Sequence, residues 1–184
     1  LAESGDLIGA RGNYRLAGAI DALDIPPTVQ SVLAARLDRL GERDKRVLQM
    51  ASVIGKTFAA SLLRDVVQAD SGREFTAAEL TEALIALGRA EFIFEAALYP
   101  DVEYAFKHPL TQEVAYRSQL NVRRSAMHGA VARAIERIDV ERLDERAALL
   151  AYHFEQAGEA LVAARWHARA AGVAGFDNQA EALR

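Results

Sequence analysis

The sequence predicts a mainly α-helical protein that contains a small β-hairpin. Alanine, leucine and arginine dominate the 184 residues, and all three are good helix formers. Most apolar residues recur at spacings of three and four, which puts them on one face of a helix. In the middle of the chain, two runs rich in aromatic and β-branched residues stand on either side of a proline, as in a hairpin.

Four helices are predicted in the first half of the chain. The first opens at the double proline of residues 26–27 and ends before Gly41, with Val32 in its inward stripe. Thr76 and Glu79 form a capping-box pattern, which opens the fourth helix. The second and third helices are expected at residues 42–54 and 59–67, followed by a polar loop at 68–73.

Strands are predicted in two places. Near the N-terminus, the apolar-bearing runs 6–9 and 14–17 indicate a small hairpin. Residues 92–98 and 102–107 are β-rich and flank a proline turn, which predicts a second hairpin. Helices that end in one hairpin are typical of a winged helix. Residues 21–120 are therefore assigned to a winged-helix domain, with the second hairpin as its wing.

The stretch from Tyr104 to Tyr116 changes from strand to helix at His108-Pro109. Tyr104 and Phe106 alternate with other residues as in a strand, whereas the residues after Pro109 follow helical spacing. Proline disfavours a helix in the residue before it and fits the first helical position. His108 is therefore expected just outside a helix N-terminus, where an anion such as a phosphate is favoured. The alternative is that His108 only caps the helix or packs.

Residues 121–184 are predicted to be helical, with breaks at Gly158 and near Gly175. Small alanines alternate with bulky residues, and the helices pair across these short breaks. This pattern resembles the start of a tetratricopeptide-like array. A plain helical bundle is the alternative, because fewer than two full repeats are present.

Composition excludes several classes of function. The chain has no cysteine, which excludes disulfides, thiol catalysis and cysteine-based zinc sites. The net charge of −4 gives no overall attraction to nucleic acid or acidic membranes. No apolar run approaches membrane-spanning length and no signal peptide is recognisable, so the expected location is cytoplasmic. The chain starts at Leu1 and ends in helix formers without a stop signal, so we expect a longer parent protein.

The motifs predict no catalytic site and no metal site. Residues 55–57, Gly-Lys-Thr, look like the end of a phosphate-binding loop, but Met50 stands where that loop needs a glycine. A helix C-terminus is the preferred interpretation there. The histidines show no metal-ligand spacing, and His153 and His167 are expected on helix surfaces. We therefore expect that the chain is not an enzyme.

The charges of the predicted winged helix argue against nucleic acid as its partner. The helix before the wing and the wing itself carry five carboxylates against Arg89 and Lys107, which is the wrong sign for a phosphate backbone. A basic cluster follows in the next helices. Its interpretation is a solvated helical face, with a contact to nucleic acid or a nucleotide as the alternative. The cluster consists of Arg117, Arg123, Arg124, Arg133 and Arg137.

Several segments together resemble one protein family. The matching residues are 25–30, 33–40, 51–55 and 104–116, and residues 151–159 resemble the beginning of that family's tetratricopeptide region. The family is the signal-transduction ATPases with numerous domains, in the group linked to bacterial class III adenylate/guanylate cyclases and LuxR-type transcription regulators. The resemblance extends from about Leu1 to Arg169.

The resemblance implies a regulatory arm without a cofactor of its own. An NTPase core that binds ADP or ATP would lie upstream, and residues 1–20 would end its lid region. Residues 121–184 would be a helical linker into repeats that receive an unknown protein or small-molecule signal. In relatives, the histidine of a Met-His-Asp motif touches the β-phosphate of ADP. His108 has a similar position in Lys107-His108-Pro109, although Pro109 replaces the aspartate.

Two other functions remain open. A winged-helix regulator that binds DNA is one, and the acidic helix and wing argue against it. A helical scaffold that binds a protein is the other. It would be favoured if His108 were buried and hydrogen-bonded, away from any surface that could face a nucleotide-binding core.

Overall fold

The computed structural model describes residues 7–10, 13–16, 27–71 and 76–182, with side chains described for 29–70 and 76–173. These residues form a mainly α structure with eight α-helices and a small three-stranded antiparallel sheet, in addition to an N-terminal hairpin. The elements are β1 Leu7–Ala10, β2 Asn13–Leu16, α1 Pro27–Asp38, α2 Glu42–Ile54, β3 Thr57–Ala59, α3 Ala60–Ser71, α4 Ala77–Arg89, β4 Ile93–Ala97, β5 Glu103–Phe106, α5 Pro109–Arg117, α6 Asn121–Ile138, a 3₁₀ turn Val140–Arg142, α7 Ala147–Gln156 and α8 Ala160–Ala182.

The three-stranded sheet has the strand order β3-β5-β4. Strands β4 and β5 form the predicted hairpin, with Ile93 opposite Phe106. Strand β3 was not predicted, and it pairs with β5 so that Phe58 lies opposite Tyr104. The ring of Phe58 stacks on that of Tyr104 at 6.0 Å and meets the edge of Phe106 at 5.9 Å. These aromatic contacts attach β3 to the hairpin.

Several predicted element ends are confirmed. Helix α2 spans the predicted residues 42–54, and β1 pairs with β2 as predicted. At the start of α4, the Thr76 hydroxyl accepts a hydrogen bond from the Glu79 amide at 3.2 Å. The Glu79 carboxylate accepts the Thr76 amide at 2.9 Å, which completes the capping box. The capping box could be predicted from sequence because Thr76 and Glu79 lie within one helical turn.

Three local predictions are wrong. A break near Gly175 was expected, but α8 continues as one helix from Ala160 to Ala182. Helix α3 continues to Ser71, where a loop from residue 68 was expected. Asp70 lies in that extension and accepts hydrogen bonds from the Arg46 guanidinium at 2.5 and 3.1 Å, so a tertiary ion pair stabilises its polar last turn. In α1, Val32 was expected to face inward, but 60% of its surface is exposed.

One hydrophobic core runs through the described chain, and it crosses the predicted domain boundary at residue 120. Helix α6 packs on α2, α3 and α7, and α7 packs on α8. Helical spacing produces this arrangement, because residues three and four apart share one face. Its fully buried members on both sides of residue 120 include Val47, Leu63, Leu87, Val131 and Leu150.

Helices α7 and α8 form a pair joined by a turn at Gly158. This glycine has a left-handed backbone with φ +79°. The Gly158 and Glu159 amides donate to the carbonyls of Glu155 and Phe154, each at 2.9 Å, and so satisfy the end of α7. Among the described residues, no helix has the length and apolarity needed to cross a membrane.

Candidate functional site

His108 lies at the junction that the sequence predicted. It is the N-cap residue of α5, with an extended backbone, φ −136° and ψ 135°, and Pro109 follows as the first helical residue. Its carbonyl accepts the Thr111 amide at 2.9 Å, but its imidazole makes no capping hydrogen bond. The side chain is exposed. The imidazole is therefore available to a group outside the described residues.

A salt bridge fixes the backbone next to His108. The Lys107 ammonium contacts the Glu91 carboxylate at 2.7 Å, and the Lys107 amide donates to the Phe92 carbonyl at 3.0 Å. Glu91 has a left-handed backbone with φ 61°, which turns the chain from α4 into β4. The hydrogen bond and charge of Lys107 hold the pKa of the Glu91 carboxyl below its usual value. Lys107 is thus held by Glu91, whose carboxylate also interacts with the charge of His108, while the His108 imidazole stays exposed to solvent.

An apolar groove begins next to His108. It lies between α1 and α5, has a volume of about 410 Å³ and includes Leu110 and Val114. On its wall, Arg117 and Glu113 form an ion pair at 2.6 Å across one helical turn. Leu110 and Val114 are four residues apart and share the face of α5 that borders this groove, whereas the buried residues of the helix are Thr111 and Ala115. Leu110 and Val114 therefore border an open groove beside the candidate site.

The helix N-terminus at His108 has the chemistry of an anion site. The first amides of a helix lack internal partners, and the helix dipole adds partial positive charge there. Pro109 supplies no N–H and the Thr111 amide already donates to the His108 carbonyl, so the Leu110 amide is the first that α5 can offer. An imidazole beside these donors can donate a hydrogen bond to a phosphate oxygen. The residues that could contact such a group are His108 and the first turn of α5.

Residues 55–57 do not form a phosphate-binding loop. Gly55 ends α2, and its amide donates to the Ala51 carbonyl at 3.2 Å. A phosphate loop needs a strand before it, and here a helix of 13 residues takes that place. The Lys56 carbonyl accepts a hydrogen bond from the Phe106 amide at 3.0 Å. This bond pairs the segment with β5 just before β3 begins. The helix C-terminus predicted from the sequence is confirmed.

His153 was expected on a helix surface, and this prediction is wrong. His153 and His128 are each only 1% exposed, and their Nδ1 atoms lie 2.9 Å apart. The Tyr116 hydroxyl lies 2.9 Å from His128 Nε2, so α5, α6 and α7 are joined by one hydrogen-bonded chain. Within the described residues, His153 Nε2 has no partner. His167 is exposed, as predicted.

Burial keeps both of these histidines neutral. It lowers the pKa of His128 to about 4, with a further contribution from the charge of Arg124. It lowers the pKa of His153 to about 3, with a further contribution from His128. With both rings neutral, a single proton lies between the two Nδ1 atoms and the tautomers are coupled. The contact between His128 and His153 could not be predicted from the sequence, because the two residues lie 25 positions apart.

The basic cluster is mostly occupied by internal contacts. Arg123 and Arg137 face Asp70 and Asp65 at 3.6 and 3.8 Å. The Arg124 guanidinium lies over the Tyr116 ring, 4.8 Å from its centre. The remaining two are paired as well, Arg117 with Glu113 and Arg133 with Glu159 at 2.9 Å. Four of the five arginines have a carboxylate within 4 Å, which supports the interpretation of a solvated helical face.

Comparisons with protein-family models, with curated proteins and with solved structures find no match to this chain. Within the described part of the chain, no three histidine, aspartate or glutamate side chains are grouped to hold a metal ion. The functional assignment therefore depends on the geometry of the residues and on the sequence resemblance.

Proposed function

We propose that this chain is a regulatory arm of a multidomain, cytoplasmic signal-transduction NTPase. The arm couples the nucleotide state of an upstream core to a helical region that receives a signal. It has no catalytic role of its own. The bound nucleotide belongs to the core, and ADP or ATP is the expected ligand of the whole protein.

One observation carries the proposal. His108 is exposed at the N-terminus of α5 and makes no internal side-chain bond there. A helix N-terminus favours an anion, and an imidazole at that position can add a hydrogen bond to phosphate. With ADP in the core, His108 would bind the β-phosphate and keep the arm closed on the core. Exchange for ATP would change that contact and release the arm.

The order of the elements supports a winged helix at residues 21–120. Helices α2, α3 and α4 are followed by the β4–β5 hairpin, and β3 pairs with β5 as the third strand of the sheet. In this assignment the hairpin is the wing. Residues 121–184 then lead into tetratricopeptide-like repeats, of which α7 and α8 are the first pair.

The exposure of His108 also favours this function over a plain scaffold, for which a buried histidine would be expected. The acidic wing, together with the carboxylates that face Arg123 and Arg133, disfavours a DNA-binding regulator. Salt-sensitive binding of DNA by this chain would revive that alternative.

The nucleotide content of the longer protein tests the proposal. The protein is purified with the segment encoded upstream, its nucleotide is released with acid, and the nucleotide is identified by chromatography. We expect that wild type retains ADP, that His108→Ala loses it and that the exposed control His167→Ala behaves as wild type. Equal ADP in wild type and His108→Ala would contradict the proposal.

A further inference from the structure

Strand β3 has a free edge among the described strands. It pairs with β5 alone, and its ends are fixed by two hydrogen bonds. The Lys56 carbonyl accepts the Phe106 amide at 3.0 Å, and the Ala60 amide donates to the Val102 carbonyl at 2.8 Å. Residues on an antiparallel strand alternate between bonding their neighbour and facing away. The amides of Thr57 and Ala59 therefore point away from β5.

All three residues of β3 line a cavity of about 550 Å³, together with residues of α3 and of the turn between β4 and β5. It is bounded by β3 on one side and by the ends of α6 and α7 on the other. Its apolar lining includes Ile54, Phe58, Leu62 and Ile135. This volume is in the range of sites that hold a small ligand or a few residues of a peptide.

The cavity carries uncompensated negative charge. Its two arginines are already paired, Arg146 with Asp139 at 3.0 Å and Arg142 with Glu145 at 2.6 Å. Asp101 accepts hydrogen bonds from the Ser61 hydroxyl and the Val102 amide, but it has no cationic partner. Glu103 has no ion pair either within the described chain. A ligand with a basic group would balance these two carboxylates.

The sheet register separates the apolar and the acidic surfaces at this edge. Phe58 lies opposite Tyr104 and points to the core, whereas Ala59 lies opposite Glu103 on the other face. A strand added beside β3 would continue both faces. Side chains of an extended peptide also alternate between faces, so its apolar residues would meet the core lining and its basic residues would meet Glu103.

We propose that the edge of β3 binds an extended peptide segment in which apolar and basic residues alternate. Its backbone carbonyls accept hydrogen bonds from the amides of Thr57 and Ala59. Its apolar side chains enter the cavity between the sheet and α6–α7. This site is separate from His108 and does not depend on the proposed function.

Titration of the isotope-labelled chain with a peptide tests this site directly. The probe is an acetylated, amidated hexapeptide that alternates valine and lysine, followed by amide NMR. Saturable shifts are expected at Thr57 and Ala59, with no change at His108. Two further peptides carry N-methyl groups at the odd or at the even positions. One of them should lose binding, since only alternate amides and carbonyls face β3.

Variants separate the backbone contact from the charge contact. Thr57→Pro removes an amide that points away from β5, a position where an edge strand tolerates proline, and it should abolish binding while the circular dichroism spectrum stays unchanged. Glu103→Gln should weaken binding about threefold, as for an exposed ion pair. Glu95→Gln, on the same hairpin but away from this edge, is the matched control and should bind as wild type.

Three outcomes would overturn the proposal. The first is the absence of saturable shifts at Thr57 and Ala59 with the alternating peptide. The second is equal binding of both N-methylated peptides by wild type and by a folded Thr57→Pro variant. The third is equal binding of free hexylamine and the peptide, which would assign the cavity to small organic cations.

Discussion

The buried histidine pair should make folding stability sensitive to mild acid. His128 and His153 are almost fully buried, and their Nδ1 atoms share one hydrogen bond of 2.9 Å. The rings of Tyr116 and Tyr152 face His128 at 5.7 and 5.6 Å, and Arg124 is the nearby charge that opposes its protonation. Burial and this charge outweigh the hydrogen bonds to the rings, so the folded state binds a proton less readily than the unfolded chain.

The sign and size follow from the pKa values. Both histidines titrate near 6.5 in the unfolded chain, against about 4 for His128 and about 3 for His153 when folded. Below pH 6.5 the unfolded chain therefore binds more protons, and stability falls as the pH falls. At about 1.4 kcal/mol per pH unit and per proton, acidification from pH 6.5 to 5 costs about 2 kcal/mol for each histidine.

Urea unfolding at pH 7 and pH 5 measures this effect. The free energy of unfolding of wild type should fall by about 4 kcal/mol from the two histidines together. His153→Gln removes one titrating group. The free energy of unfolding of this variant should therefore fall by about 2 kcal/mol less than that of wild type between pH 7 and pH 5, whatever the stability of the variant at pH 7. The exposed control His167→Gln should lose as much as wild type. An equal loss in wild type and His153→Gln would refute the reasoning.

Three further substitutions test the packing and the helix ends by urea unfolding at pH 7. Leu63→Ala empties a fully buried site and should cost about 2–5 kcal/mol, whereas a loss below 1 kcal/mol would contradict its place in the core. Thr76→Ala removes the capping box of α4 and should cost about 1 kcal/mol, with Thr81→Ala as the control inside that helix. Gly158→Ala should cost about 1 kcal/mol from the left-handed backbone alone, because an added Cβ meets no atom within 4 Å. An unchanged midpoint would contradict this conformation.

The sequence predicted those elements whose signals are local. The capping box at Thr76 and the proline at position 109 each fixed a helix start to within a residue. Strand β3 could not be predicted, because three residues carry too little alternation and its pairing with β5 spans more than 40 residues. The polar end of α3 was missed for the same reason, since the partner of Asp70 is Arg46 on α2.

The candidate functional residues also fall into two groups, those with a local sequence signal and those that depend on tertiary packing. The position of His108 just before a helix was predicted because strand periodicity, a histidine and a proline meet within a few residues. The His128–His153 pair was missed, since two helices must pack before these rings meet. The proposed peptide site at the edge of β3 could not be predicted either, because it depends on the sheet register and on which arginines are already paired.

The release rate of ADP from the longer protein tests the central proposal most directly. A fluorescent ADP analogue is bound to wild type, His108→Ala and His167→Ala and displaced with excess ADP. One hydrogen bond to a charged phosphate contributes about 1.5–3 kcal/mol, so His108→Ala should release the analogue at least about tenfold faster. His167→Ala should match wild type. The same release rate in wild type and His108→Ala would contradict a contact between His108 and the nucleotide.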